Sequence, residues 1–378
     1  MNRGVHVSLI ETELRTVARE IGLSAIGFGA ADPFEETRSA ITTRAGLGYF
    51  GAMKFVMADP ARSCFPDSTL AGAKSIVTAA LGYWRPAAQK PGSGYARVAR
   101  YAWQDHYRLL RAKLETLADV LRRQSYRAVV LSDSNALVDR APAVRAGLGF
   151  FGKNSNVITP SAGSWVVFGS ILTTASLATT QGESSSCGAC TSCIDSCPTR
   201  AIVSPGVIDS RRCIAYLLQA PGLIPMSFRR QIGDRIYGCD ECQDSCPINR
   251  RSLRATPPAP TGLPASNDES WVSVPEILCT RPSMLAERFR RFYMPRNDYE
   301  YLHRNALIAL GNSGDPSYVE LATEFLGHPR PMLRATAAWA LGEVGTDRSA
   351  ESLRGRHATE RDDLARNEIS LALKACAS

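Results

Sequence analysis

Apolar positions along the first part of the chain recur with two different periods, and the alternation between them sketches a sheet covered by helices. Leu14, Val17, Ala18 and Ile21 share one helical face. They follow Ser8-Leu9-Ile10-Glu11, which reads as a capping box, and Gly22 ends the run. Short apolar runs at Ala25 to Phe28, Ser75 to Leu81 and Ala128 to Leu131 predict strands, with a helix over about Asp105 to Arg123 between the second and third. A further run, Trp165 to Leu172, predicts a buried strand. It is also the longest apolar stretch, well under the ~18 residues a membrane-spanning helix needs, so no segment is expected to cross a bilayer.

Towards the C-terminus the pattern repeats. The segment from His303 to Gly314 matches that from Arg334 to Gly345 at an offset of 31 residues, with Ala306/Ala337, Leu310/Leu341 and Gly311/Gly342 in register. A partial third copy covers Arg366 to Leu373. Each copy reads as a helix ending at glycine, then a turn and a second helix, the unit of a HEAT-like α-solenoid. Such a strip either binds a partner or caps the core. Upstream of it, residues 255–270 (ATPPAPTGLPASNDES) are rich in proline and small polar residues and read as a linker or strap. The expected division is 1–183, 184–254, the strap 255–270, and 271–378.

Composition narrows the class. With 378 residues, 44% hydrophobic and 21% charged, the chain is a soluble globular protein large enough to need no disulfide for stability. The first residues carry no long apolar core and no twin arginine, so export is not expected and a cytoplasmic location is. In a reducing compartment, eleven cysteines are ligand candidates rather than disulfides. A formal charge of +8 permits a polyanionic partner such as RNA without proving one.

Eight of those cysteines lie between Cys187 and Cys246. Cys187, Cys190, Cys193 and Cys197-Pro198 form the bacterial ferredoxin run C-x2-C-x2-C-x3-C-P. Cys213, then Cys239, Cys242 and Cys246-Pro247, repeat its last spacings with the first ligand moved upstream. Two 4Fe–4S clusters are expected. The ferredoxin crossing rule assigns Cys187, Cys190, Cys193 and Cys246 to one, and Cys197, Cys213, Cys239 and Cys242 to the other. Structural zinc is the alternative, but it has no use for the third cysteine of each run or for the two Cys-Pro endings. Cys64, Cys279 and Cys376 read as buried small hydrophobes.

The loop from Gly147 to Asn154 (GLGFFGKN) satisfies the G-x-G-x-x-G expression and nearly the phosphate-loop one. Its context fits neither. The preceding segment, Arg140 to Ala146, reads as helix rather than strand, no acid follows between Asp139 and Glu183, and Asn154 stands where a phosphate loop needs a hydroxyl. What remains is a glycine-rich backbone able to approach a ligand closely.

Residues 145–154 (RAGLGFFGKN), the ferredoxin run, residues 211–217 (RRCIAYL) and residues 234–249 (DRIYGCDECQDSCPIN) resemble the epoxyqueuosine reductase family. The resemblance is specific over about residues 133–249 and weaker over the first 130. It implies a multidomain α+β protein: a nitroreductase-like α/β cobalamin domain, a ferredoxin-like double-cluster domain and the HEAT-like tail. It implies reduction of the epoxide of epoxyqueuosine to the alkene of queuosine in the anticodon loop of tRNA, with electrons passing through two 4Fe–4S clusters to cobalamin. An external donor such as a flavodoxin or ferredoxin and a monomeric state are expected.

Within that resemblance, the family's proton-donating aspartate falls on Asp133; the competing reading is a helix cap. Gly149, Gly152, Lys153, Asn154 and Asp240 are expected to bind cofactor. The sequence departs from the family pattern at Ala136, where the family has proline, at Asp139, where it has glutamate, and at His106-Tyr107, where the aromatic and the histidine are exchanged. His106 has a structural reading as well. No histidine is placed to be a lower axial ligand of cobalt. For RNA, arginines gather at Arg229, Arg230 and Arg235, at Arg250, Arg251 and Arg254, and at Arg288, Arg290, Arg291 and Arg296, with Tyr293 or Trp271 available to stack on a base. The competing functions are a related cobalamin and iron–sulfur reductase of a small molecule, and a non-catalytic iron–sulfur electron-transfer protein.

Overall fold

A computed structural model describes residues 3–182, 185–255 and 269–377. They form two compact units that are each discontinuous in sequence. The first draws on residues 1–85, 104–211 and 240–267, the second on 86–103, 212–239 and 268–378.

The first unit is built on a four-stranded sheet in the order Ala25–Ala30, Ser75–Gly82, Val166–Thr173, Ala128–Ser132, with every neighbouring pair antiparallel. Both faces are covered. Ala80 and Phe168 are cross-strand partners and pack with Ala143, Ala146 and Leu148, contributed by the helix Arg140–Arg145 and the turn after it. The opposite face carries Gly169, where a Cβ would lie 2.6 Å from Leu114 Cδ1 and 3.2 Å from Leu110 Cδ2. Those leucines belong to the helix His106–Arg123, which seats directly on the strand backbone. A sheet packed on both sides has no solvent face, so its central strands read as unbroken apolar runs, and Val166–Thr173 is buried at every residue.

In the second unit, Tyr95–Val98 is the middle strand of three, parallel to Arg235–Tyr237 and antiparallel to Trp271–Ser273. The predicted repeat is present as the helices Glu300–Ser313, Pro331–Val344 and Asp363–Cys376, with returning helices Val319–Glu324 and Asp347–Thr359. The first two repeat helices end, as their sequence requires, at Gly314 and Gly345 in the left-handed region. Gly342 lets two copies touch backbone to backbone, since a Cβ there would lie 2.9 Å from Ala372 Cα.

The first repeat helix is pinned to the segment before it. Arg304, with no exposed surface, donates to the carbonyls of Ala220 and Gly222 at 2.6 Å and of Leu217 at 3.1 Å. Asn305 donates to Leu218 and Ile236, and Asn312 to Arg229 and Gly233. These buried side chains satisfy carbonyls at the ends of short helices, in the turns after them and in the strand Arg235–Tyr237.

Three expectations need correction or restriction. Ser8 lies inside the helix Arg3–Glu20 and not at its cap, because nothing in residues 3–7 interrupts a helix. Most of the expected strap, residues 256–268, lies outside the described residues. Cys64 is buried, but Cys279 is exposed: the helix Val274–Cys279 turns Val274, Ile277 and Leu278 to the core and leaves its last residue facing water. No helix among the described residues is long and apolar enough to cross a membrane.

Candidate active site and cluster site

The strand Ala128–Ser132 delivers an acid to the rim of the first unit. Ser132 Oγ donates to the Tyr107 carbonyl at 3.3 Å, tying the strand end to the start of the helix His106–Arg123. Asp105 caps that helix by accepting from Arg108 N at 2.9 Å. Asp133 follows the strand at φ +49°, a conformation costly for a residue with a Cβ. It caps nothing: the next helix, Arg140–Arg145, begins after Asp139. Loss of solvent around the Asp133 carboxyl, followed by the charge of Asp105, raises its pKa. At the far end of the loop Asp139 is pushed up to about 7, mainly by burial, with Asp133 adding to the rise and Arg140 opposing it. One short loop thus presents two carboxyls of raised pKa, Asp133 exposed and Asp139 half-buried.

A buried polar wall extends through the same unit. The Tyr83 ring lies 5.5 Å from that of His106, itself 2% exposed, and meets Trp165 edge-on at 6.0 Å. The Tyr83 hydroxyl donates to Gln243 Oε1 at 3.3 Å, and Ser164 Oγ donates to the same oxygen at 2.9 Å. Asn249 Nδ2 donates to Ser164 Oγ and to the Gln243 carbonyl. Burial, then the charge of nearby Asp240, raises the Tyr83 pKa and keeps the phenol protonated.

Gln243 and Asp240 stand beside Cys242, so the wall ends at the cysteine motif. The helices Ser192–Asp195 and Glu241–Asp244 each carry one copy of the Cys-x-Asp-Ser-Cys-Pro sequence, and Ser196 Oγ donates to Ser245 Oγ at 2.8 Å between the copies. Cys193 is driven up to about 11, first by burial and then by the negative charges of Cys187, Cys246 and Cys190. Cys187, Cys190 and Cys246 are therefore each close enough to act on Cys193, although Cys246 is separated from the others by more than fifty residues. Cys197 Sγ accepts from Ala201 N at 3.2 Å. Cys242 belongs to the same unit, whereas Cys213 and Cys239 belong to the second. There Cys213 precedes the helix Ile214–Leu217, and Cys239 packs half-buried against the core. Among the described residues no three His, Cys, Asp or Glu side chains are arranged for a single metal ion; the thiol set has the composition and spacing of cubane ligands.

The glycine loop turns out to serve the protein itself. Gly149 opens a short hairpin, Phe150–Phe151 paired with Val157–Ile158, and a Cβ on it would lie 2.3 Å from the Ile158 carbonyl oxygen. A Cβ on Gly152 would meet the Ile158 side chain at 2.7 Å. Asn154 is buried with both ends of its amide engaged: Nδ2 donates to the Cys242 carbonyl at 3.1 Å, and Oδ1 accepts from Asn156 N. Lys153 Nζ donates to the Gly188 carbonyl at 2.8 Å.

Part of the expected basic surface is engaged within the protein, although among the described residues only Arg229 and Arg235 of it are buried. Arg229 is buried in a bidentate pair with Glu368, Arg230 pairs with Glu343, and Arg235 donates to the Ile232 carbonyl. Arg288 pairs with Glu269 and Glu276, Arg291 with Glu269. Arg250 donates to the Asp244 carbonyl. The side chain of Arg254 lies outside the described ones. Arg251, Arg290 and Arg296 are exposed and form no ion pair among the described residues. Tyr293 is 49% exposed, while the Trp271 indole donates to the Ala88 carbonyl.

Tyr83, Trp165, Ser164, Gln243 and Asn249 escape a reading of the sequence. Gln243 and Asn249 sit inside the second cysteine motif, which is the one signal that could have singled them out. The others lie at strand ends and show no spacing pattern.

Three family models match the chain: epoxyqueuosine reductase QueG over residues 64–139, a 4Fe-4S double cluster binding domain over 186–249, and HEAT repeats over 294–374. The epoxyqueuosine reductase of Bacillus subtilis (strain 168) is 33% identical over 380 residues, covering 98% of this chain and 97% of that protein. That of Xanthomonas campestris pv. campestris is 31% identical over 344 residues, covering 88% and 95%. Among solved structures, an epoxyqueuosine reductase with an epoxyqueuosine-modified tRNA-Tyr stem loop superimposes with a TM-score of 0.90 at 33% identity, covering 98% of this chain and all of that one. A Bacillus subtilis epoxyqueuosine reductase, described as having its catalytic aspartate loop swung out of the active site, gives a TM-score of 0.89 at 32% identity, with 98% and 99% covered.

Proposed function

The chain belongs to the epoxyqueuosine reductase family, and on that basis we propose that it reduces epoxyqueuosine to queuosine in the anticodon loop of tRNA, using two 4Fe–4S clusters and cobalamin. Opening the epoxide to the alkene releases its oxygen as water and consumes two electrons and two protons. The chain must therefore gather single-electron carriers and proton donors around one reacting carbon–oxygen bond.

Its residues suit both tasks. The ferredoxin spacing assigns Cys187, Cys190, Cys193 and Cys246 to one cluster, a set in which the other three thiols all act on Cys193, and Cys197, Cys213, Cys239 and Cys242 to the other. Between the cysteine motif and the acidic loop lies the wall of Tyr83, His106, Asp240 and Gln243, whose hydroxyl, imidazole, carboxylate and amide groups fit a corrin rimmed by amides. When bound, cobalamin supplies a metal centre that takes up electrons singly and is nucleophilic towards carbon. Asp133 is the proposed proton donor to the epoxide oxygen: its raised pKa keeps a proton available, and its strained backbone holds the carboxyl at the rim. The aspartate loop named in a relative is consistent with this assignment. Lys153 is turned to the cysteine loop, and Gly149 and Gly152 support the hairpin. The cofactor contacts proposed for this chain therefore narrow to the polar wall, Asp240 included, and to the backbone around buried Asn154.

An antiparallel sheet covered by helices on both faces accommodates the nitroreductase-like description of this unit. A cytoplasmic, monomeric enzyme reduced by a flavodoxin or ferredoxin completes the proposal.

The observation that carries the reading is the convergence, within one compact unit, of four cluster-type thiols and an acid-tipped polar wall. Anaerobically reconstituted protein, given cobalamin, a reductant and tRNA from cells lacking the activity, should remove one oxygen from the hypermodified nucleoside, as mass analysis will show. Unchanged nucleosides from protein with intact clusters and bound cobalamin would favour a small-molecule substrate. Protein that binds no corrinoid would be an electron carrier.

A further inference from the structure

Lys153 is held in place from two directions. Its carbonyl accepts from Gly206 N at 2.9 Å, and Ser155 Oγ and Arg44 Nη2 both donate to the Gly206 carbonyl. Its side chain reaches the cysteine loop, where Nζ donates to the carbonyl of Gly188, between Cys187 and Cys190. The ammonium is thereby fixed on the loop that carries Cys187 and Cys190. Its charge is delivered to one edge of the four-thiol set.

We propose that Lys153 sets the reduction potential of the cluster held by Cys187, Cys190, Cys193 and Cys246, making that cluster easier to reduce. The inference rests on the cluster assignment above. A cubane with four thiolates gains one negative charge when it accepts one electron, with no bond made or broken. A fixed cation beside a ligating sulfur therefore stabilises the reduced form more than the oxidised one. Net charge and hydrogen bonding at the sulfurs are the main protein controls on such potentials. The loop that Lys153 reaches has Gly188 and Ala189 exposed, so this cluster has a solvent-facing edge where an external donor can deliver electrons. A raised potential there would favour uptake of the first electron.

The test compares wild-type protein with Lys153→Gln and Lys153→Arg, each reconstituted without oxygen as the full chain and assayed for iron and sulfide. Gln keeps a donor for the Gly188 carbonyl but removes the charge; Arg keeps both. Redox titration followed by electron paramagnetic resonance should show one of the two clusters in Lys153→Gln roughly tenfold harder to reduce, about 59 mV lower for a one-electron couple. The other cluster should be unmoved and Lys153→Arg should match wild type. Midpoints in Lys153→Gln equal to those of wild type overturn the proposal, as does an equal shift in Lys153→Arg. Wild-type protein that takes up no iron would instead overturn the cluster assignment on which it stands.

Discussion

Asp133 combines three properties that rarely meet in one residue: a left-handed backbone, a carboxyl with raised pKa and a second protonatable carboxyl, Asp139, on the same loop. The charge of Asp133 adds to the rise at Asp139, while the rise at Asp133 itself comes from loss of solvent and then from Asp105. With Asp133 as the proposed proton donor the working form is the protonated one, so turnover should be highest on the acid side and fall as pH rises through the elevated range, which for Asp139 lies at about 7. Asp133→Asn should retain both clusters and cobalamin, lose turnover by about a hundredfold or more, and lose this dependence. Full activity in that variant, measured by nucleoside analysis across pH, would remove Asp133 from its role. The position of Asp133 was legible through the family resemblance, and its role as the acid is what this variant tests. Its strain and its coupling to Asp105 and Asp139 were not, because they arise where a strand end, a helix start and a loop meet.

At the scale of elements, the solenoid was visible because its glycines recur where helices must approach closely. Gly342→Ala tests that reading: alanine favours a helix by about 1 kcal/mol in isolation, yet its Cβ would press on the backbone of Ala372. Thermal or urea unfolding should therefore show a net loss of about 1–3 kcal/mol; a stabilised variant would mean the helices can separate freely. The capping box at Ser8 failed for a complementary reason. A local motif marks where a helix could begin, while its true start depends on whether upstream residues also accept helical geometry. The glycine loop likewise matched a nucleotide motif in letters but forms a hairpin, since a helix and not a strand precedes it.

For the whole molecule, the arginine clusters overstate the cationic groups free to meet RNA, because some arginines are paired with glutamates or buried against carbonyls; the net charge of +8 already counts those glutamates. Binding of an anticodon stem loop should depend on salt through the arginines left unpaired. Replacing Arg290 and Arg296 together by alanine should flatten the log–log salt slope by about 1.4, taking ~0.7 per phosphate contact to a single strand. Fluorescence anisotropy at several salt concentrations measures it, and an unaltered slope would place the RNA elsewhere. The chain's letters alone determined the cluster chemistry and the repeat, because ligand spacing and helical period are local and survive in one dimension. Which arginines remain on the surface, which lysine faces a cysteine loop and which buried side chains line the wall were decided only by folding. Those properties depend on burial and on partners tens to hundreds of residues away.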